Sequence, residues 1–136
     1  FLAPLDVPIA VVGPRGTGKG FIARLVHEAD LHTGDFRLLD CREFKGRTSS
    51  LRALAEAFES KNVKTLIFKS PHLLQVKVQE ALARSISSRT LAFRKPARYL
   101  HTTKLVALFP SPIEFLVREG MLVENLASAF SNDISL

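Results

Sequence analysis

Residues 9 to 19 read Ile9-Ala10-Val11-Val12-Gly13-Pro14-Arg15-Gly16-Thr17-Gly18-Lys19, an apolar run followed by a glycine-rich turn that ends in lysine. The turn has the spacing G-x-x-x-x-G-K of a phosphate-binding loop. Glycines let successive backbone N–H groups face one anion, while Lys19 and the N-terminus of a following helix add positive charge. Gly20 stands where many such loops carry Ser or Thr, whose hydroxyl holds Mg²⁺. These residues therefore predict phosphate binding but not, by themselves, hydrolysis.

The rest of the chain alternates apolar runs with amphipathic segments, as in a parallel sheet covered by helices. Short apolar runs predict strands at Val7–Val12, Asp35–Asp40, Val63–Phe68 and Leu105–Phe109. Helical spacing predicts helices at Gly18–Ala29, Leu51–Glu59, Pro71–Ser85, Ile113–Glu119 and Met121–Phe130. Ser49 or Ser50 is expected to cap the second of these, and the tail after Phe130 to fray. We therefore predict one three-layer αβα domain over residues 1–136, with a mainly parallel sheet.

The composition fits one folded domain: 46% of the 136 residues are hydrophobic and 24% are charged. No apolar run approaches the roughly 20 residues that span a bilayer, and no signal-peptide pattern is present, so we expect a cytoplasmic protein and no membrane partner. Cys41 is the only cysteine, which excludes an intrachain disulfide. The net charge of +6 suits nucleotide phosphates, nucleic acid or an acidic protein surface, and equally suits a solvated basic surface.

Several motifs, taken in order, resemble the ATPase domain of sigma-54-dependent transcription activators, a AAA+ family. The matching positions are Gly13-x-x-Gly16-Thr17-Gly18-Lys19, Ala23-Arg24-x-x-His27, Asp40-Cys41, Thr65-Leu66-Ile67-Phe68, Gln75-x-x-x-Gln79-x-x-Leu82, Leu105-Val106-Ala107, Leu116-Val117-x-Glu119-Gly120 and Glu124-x-Leu126. The first motifs are specific to this family, whereas each later one is weak alone. Together they cover nearly the whole chain, and they imply the P-loop NTPase fold as a AAA+ core without its lid.

The resemblance implies a regulatory domain of a bacterial response regulator in a two-component phosphorelay. Such a domain would bind ATP or ADP weakly, through Gly13, Pro14, Arg15, Gly16, Thr17, Gly18, Lys19 and Gly20. Its expected partners are the other domains of the same regulator and the transcription machinery, with DNA bound only through a separate module. An oligomer is compatible with the family. Because the chain begins with Phe1, we expect it to be excised from a longer regulator.

The chain departs from the family where the family hydrolyses nucleotide. Lys69 and Ser70 replace an Asp-Glu pair in which the Asp organises Mg²⁺ and the Glu polarises water. Pro110 replaces the sensor asparagine, and Met121 and Val123 replace two arginines that act on a neighbouring subunit. The G-A-F-T-G-A loop that contacts sigma-54 is missing. We therefore expect no catalytic residue, no metal ligands, doubtful Mg²⁺ binding and lost hydrolysis.

Two other functions stay open at this stage. The chain could be an active NTPase with a non-standard metal site that uses Asp40 or Glu43, or a nucleotide-free scaffold. Lys69 could act as a built-in cation in place of Mg²⁺, although a lysine that reaches solvent is the favoured interpretation.

Several chemistry-bearing residues are expected to have structural roles. His27 is expected to pack or to cap a helix; His72 and His101 lack metal-ligand spacing, and Cys41 is expected to be a buried small residue. Ser87 to Thr103 is irregular, and the basic run from Arg89 to Lys104 could contact nucleic acid through its arginines with Phe93 and Tyr99. We favour a connecting segment there, as in the related domains.

Overall fold

The computed structural model describes residues 8–14, 16, 18, 35–60, 63–88, 104–130 and 132–136. These residues form a five-stranded sheet in the order β2-β3-β4-β1-β5, and every pairing is parallel. The strands are β1 (Ile9–Val12), β2 (Asp35–Asp40), β3 (Val63–Lys69), β4 (Lys104–Phe109) and β5 (Asn132–Ser135). The first four lie within two residues of the predicted bounds. The predicted α/β class with a mainly parallel sheet is confirmed.

Four helices are described: α1 (Arg47–Glu59), α2 (Val76–Ser88), α3 (Ile113–Arg118) and α4 (Glu124–Ala129). Short 3₁₀ turns at Cys41–Glu43 and Pro71–Leu73 follow β2 and β3. Of the predicted helix Gly18–Ala29 only Gly18 is described, and most of the basic stretch 87–104 lies outside the described residues. Within the described part of the chain, no helix is both long and apolar enough to cross a bilayer.

Both faces of the sheet are apolar, as expected for parallel strands covered on two sides. One face carries alternate residues of the strands β1 to β4, and it packs against α1, α2 and α4. Phe68 is central there, with its ring centroid 6.1 Å from that of Phe58 and 6.4 Å from that of Phe130. The other face carries a smaller buried cluster of Ile9, Val11, Ile67, Val106 and Leu108. This two-sided burial explains why the strands have continuous apolar runs.

The start of α1 differs from the prediction, because the helix begins at Arg47 rather than Leu51. Its N-cap is Gly46, which has φ +79° and no side-chain cap. Ser49 and Ser50 are already inside the first turn, where their hydroxyls donate to the carbonyls of Lys45 and Gly46. Such bonds to preceding carbonyls compete with capping, and the assignment of either serine as the cap was wrong.

The helix predicted at Pro71–Ser85 is two separate pieces. Pro71–Leu73 is a 3₁₀ turn, and the α-helix starts afresh at Val76 and continues to Ser88, so Ser87 is helical rather than irregular. A continuous helix would use the carbonyls of His72 and Leu74 internally. Here the side-chain amide of Gln79 takes both, at 3.2 and 2.9 Å, which accounts for the break.

The end of the chain also differs from the prediction. Gly120, at φ +74°, ends α3 as expected, with N–H bonds from Gly120 to Val117 and from Met121 to Leu116 that form a Schellman cap. The following helix begins only at Glu124, not at Met121. The tail does not fray: Asn132–Ser135 pairs with β1 as β5, and the Leu136 N–H donates to the Val12 carbonyl at 2.7 Å.

Candidate phosphate-binding site

The carboxyl ends of β1, β3 and β4 meet at one edge of the sheet because the strands are parallel. The carbonyls of the last two residues of β4 accept hydrogen bonds from the segments that follow β1 and β3. Phe109 accepts from the N–H of Gly13 at 3.0 Å, and Leu108 accepts from the N–H of Ser70 at 3.0 Å. The start of the glycine-rich turn, the end of β3 and Pro110 are therefore held beside one another. In open α/β sheets, this is the edge at which ligands bind.

The glycine-rich turn has a backbone that requires glycine. Gly16 and Gly18 have φ values of +87° and +85°, a region that L side chains rarely adopt. Both are exposed, and a Cβ added to either would meet nothing within 4 Å. Glycines with positive φ are typical of turns whose successive N–H groups bind an anion. The structure thus brings Gly13, Pro14, Gly16 and Gly18 to the site, while Arg15, Thr17, Lys19 and Gly20 lie outside the described residues.

The end of β3 carries Lys69 and Ser70, the two residues that the sequence resemblance aligns with an acid pair. Lys69 is the last residue of the strand and is half-buried, in register with Leu108 on one side and Asp40 on the other. Ser70 has φ +57° and ψ +54°, the left-handed conformation that costs a non-glycine residue about 1 kcal/mol or more. Its N–H bond to Leu108 and its carbonyl bond from Leu73 hold it there.

The residues at this edge do not fit Mg²⁺. A protonated lysine cannot be a ligand, a lone serine hydroxyl is a weak one, and Mg²⁺ sites in NTPases use a carboxylate at this position. Within the described residues, no group of three or more His, Cys, Asp or Glu side chains could hold a metal ion. We therefore derive no step through Mg²⁺ for this site.

Asp40 and Glu43, the carboxylates of the non-standard metal hypothesis, lie elsewhere. Asp40 ends β2, which is three strand spacings, or roughly 14 Å, from β1. Its carboxylate binds Arg42, with Nη2 at 2.7 Å and Nε at 2.9 Å, and this contact lowers the pKa of the carboxyl to about 2. Glu43 is exposed in the turn beyond it. Neither carboxylate is placed to ligate a metal beside the glycine-rich turn.

Gln79 holds the segment in which the family carries its two arginines, and sequence reasoning missed this role. The residue is 1% exposed in α2, and its Nε2 donates to the Met121 carbonyl at 2.9 Å. Its Oε1 accepts from the Val123 N–H, also at 2.9 Å. The sequence signal for this role was a glutamine next to Val78 on the apolar face of a helix, where a buried amide needs hydrogen-bond partners. The segment is thus anchored, and it presents the Met121 side chain, which is 40% exposed.

His72 and Cys41 are buried near the same edge. His72 is 7% exposed, its ring centroid is 6.2 Å from that of Phe109, and its Nδ1 has no hydrogen-bond partner among the described residues. Burial lowers the pKa of His72. Burial also raises the pKa of the Cys41 thiol to about 12, and the Sγ donates to the Leu39 carbonyl at 3.8 Å. Cys41 is therefore an unreactive core residue, as predicted.

Comparison with solved structures identifies the architecture. NtrX from Brucella abortus in complex with ATP matches with a TM-score of 0.78 and 15% identity, over 98% of this chain and 32% of NtrX. The P-loop NTPase domain of an E. coli sigma-54 activator matches with a TM-score of 0.69 and 19% identity, over 98% of this chain and 85% of that one. The fold is that of the AAA+ P-loop NTPases. The RuvB Holliday junction branch migration motor of Thermotoga maritima shares the AAA+ fold, with a TM-score of 0.65 and 18% identity over 98% of this chain and 38% of that one.

This chain spans about a third of the NtrX chain, and identities below 20% establish the AAA+ fold rather than an activity. No protein-family model matches the sequence. No curated protein sequence matches it either. The AAA+ fold nevertheless gives the candidate site a frame, since the glycine-rich turn follows β1, which lies between β4 and β5.

Proposed function

We propose that this chain is a nucleotide-binding, hydrolysis-deficient AAA+ domain of the sigma-54-activator type. The observation that carries the proposal is the combination at one sheet edge of an open, positive-φ glycine turn with Lys69 and Ser70. The turn retains the glycine-rich backbone that binds a phosphate. The end of β3 lacks the carboxylates that organise Mg²⁺ and activate water in NTPases.

Nucleotide binding is supported by the loop geometry and by similar proteins. Gly16 and Gly18 leave the approach to the loop open, and Gly13 is anchored to β4. NtrX, the structural match from Brucella abortus, crystallises with ATP and with ADP. The ligand that we propose is therefore ATP or ADP, held through residues 13–20 of the phosphate loop.

Loss of hydrolysis follows from the side chains that are present. A serine is a poor base for water, and a lysine cannot organise Mg²⁺. Met121 and Val123 cannot supply the arginine charge that, in NTPases, accelerates turnover by roughly 10³–10⁵-fold. The anchoring of this segment by Gln79 keeps an apolar side chain at the position of the first arginine.

The output that we propose is protein–protein interaction within a bacterial two-component response regulator. Bound nucleotide would set the conformation of the domain, and other domains of the regulator would respond to it. The short connection between β2 and β3, which holds only the Cys41–Glu43 turn and α1, leaves no room for the loop that contacts sigma-54. DNA contact is assigned to a separate module.

Calorimetric titration of the purified domain tests both halves of this proposal. We expect ATP and ADP to bind, Lys19→Ala to weaken both, and phosphate release to stay far below one per second. Absence of heat with millimolar ATP and ADP would refute the nucleotide half. Turnover of about one per second, the low end of ordinary enzyme rates, would refute the claim of inactivity.

A further inference from the structure

Lys69 lies in a row of four residues that crosses the sheet at the phosphate-binding edge. The register pairs Asp40 with Lys69, Lys69 with Leu108, and Leu108 with Val11. Lys69 is therefore two strand spacings from β1, or roughly 10 Å. A lysine side chain spans roughly 6 Å from Cα to Nζ, so its ammonium can come within a few ångströms of a phosphate seated on the turn after β1.

Within the described residues, the carboxylate next to Lys69 in register is that of Asp40, and Lys69 lowers its pKa less than Arg42 does. Asp40, the adjacent carboxylate, is held by three hydrogen bonds from the Arg42 guanidinium and a fourth from its backbone N–H. The residues that directly follow β1, β3 and β4 in the described chain are Gly13, Pro14, Ser70, Pro71, Pro110 and Ser111, none of which is acidic. None of these six residues offsets the charge of Lys69. A divalent cation would be repelled there, whereas an uncomplexed polyphosphate would be attracted.

We infer that the Lys69 ammonium takes the place of Mg²⁺, and that this site binds metal-free ATP or ADP. The inference rests on the proposed nucleotide binding and specifies the form of nucleotide that is bound. Lys69 supplies a countercharge to the terminal phosphates from the strand end at which an NTPase holds its metal. Being fixed to β3, the charge is present in every molecule and is independent of the Mg²⁺ concentration.

The test compares nucleotide affinity by calorimetry in EDTA and in excess Mg²⁺. For the unaltered protein we expect affinity in EDTA at least equal to that in Mg²⁺. Lys69→Ala should weaken ATP binding about tenfold in EDTA, since a close charge pair is lost. Lys64→Ala is the matched control, because Lys64 lies at the opposite end of the same strand. The affinity of the Lys64→Ala variant for ATP should be unchanged. The double variant Lys69→Asp with Ser70→Glu should need Mg²⁺ to bind ATP.

Each outcome supports or refutes the binding of metal-free nucleotide through Lys69. If Mg²⁺ tightens ATP binding to the unaltered protein about tenfold and Lys69→Ala binds as well as Lys64→Ala, the inference is wrong while nucleotide binding stands. If neither nucleotide binds in either buffer, nucleotide binding itself is refuted and the inference falls with it. Circular dichroism and thermal melting of Lys69→Ala show whether the variant is folded. Should it not be folded, Lys69→Met, which keeps the apolar stem, provides the same comparison.

Discussion

Gln79 shows, at the residue scale, how a single side chain links distant segments around the site. Its amide joins the break before α2 to residues 121 and 123, which are 42 and 44 positions away in the chain. Local sequence patterns do not contain such pairings, and a glutamine on an apolar helix face could be recognised only as an exception needing partners. Ser70 is similar, because nothing about a serine announces a left-handed backbone.

Replacing Gln79 by Leu should destabilise the protein by at least about 2 kcal/mol, because the Val123 N–H and three carbonyls that share the two amide protons lose their partner. Urea unfolding monitored by circular dichroism measures the change. The control is Gln75→Leu, an exposed position one turn earlier, for which we expect a change below about 0.5 kcal/mol. Equal effects of the two variants would show that Gln79 does not act as a clamp.

Backbone strain at Ser70 predicts opposite effects of two substitutions. Ser70→Gly should leave stability unchanged or raise it by up to about 1 kcal/mol, because glycine adopts positive φ without steric cost. Ser70→Val should lower it by about 1–2 kcal/mol, since β-branched residues are rare in this region. Chemical unfolding of both variants gives the comparison. A valine variant as stable as the glycine variant would contradict the strain.

His72 predicts a pH dependence of stability. Burial lowers its pKa in the folded protein below the ordinary value of 6.5, so the unfolded chain binds the proton more readily. The contribution of neutral His72 is therefore complete above pH 6.5 and is lost as the pH falls through the folded-state pKa. The unfolding free energy of the unaltered protein should decrease from pH 7.5 through 6.5 to 5.5. In His72→Gln it should decrease less over the same range. Identical pH profiles would rule out His72 as the cause.

At the scale of secondary structure, elements with strong local signals were predictable and weak ones were not. β1 to β4 have apolar runs bounded by glycine, proline or charged residues, and all four were found. β5 contains one apolar residue, Ile134, and forms only because β1 offers a free edge for pairing. The start of α1 was misplaced because serines favour caps, whereas here the chain enters the helix through Gly46.

The role of β5 in covering β1 gives a prediction about that strand. Ile134 packs against the buried cluster of Ile9 and Val11, so Ile134→Asp should cost about 2 kcal/mol or more by placing a charge in apolar surroundings. Ser135→Asp, the same substituent on the exposed adjacent residue, should change stability by less than about 0.5 kcal/mol. Thermal or urea unfolding distinguishes them. If Ile134→Asp were as stable as Ser135→Asp, β5 would not seal the sheet edge.

At the scale of the whole molecule, the strand order β2-β3-β4-β1-β5 places the phosphate loop and the end of β3 on either side of β4. Apolar runs and helical spacing predict the elements but not their order in the sheet. A phosphate-binding site stays a prediction, which rests on the glycine-rich turn with its terminal lysine. The loss of hydrolysis also stays a prediction, which rests on the residues found in place of acids and arginines at positions that the AAA+ resemblance defines.

Phosphorus NMR of ATP with a stoichiometric amount of the protein tests both parts of the central claim, that nucleotide binds and is not cleaved. We predict that the phosphate resonances of ATP shift or broaden on addition of the protein, in EDTA as in Mg²⁺. We further predict that no inorganic phosphate signal grows over several hours. Unchanged ATP resonances would contradict binding, and a steadily growing phosphate signal in Mg²⁺ would contradict the loss of hydrolysis.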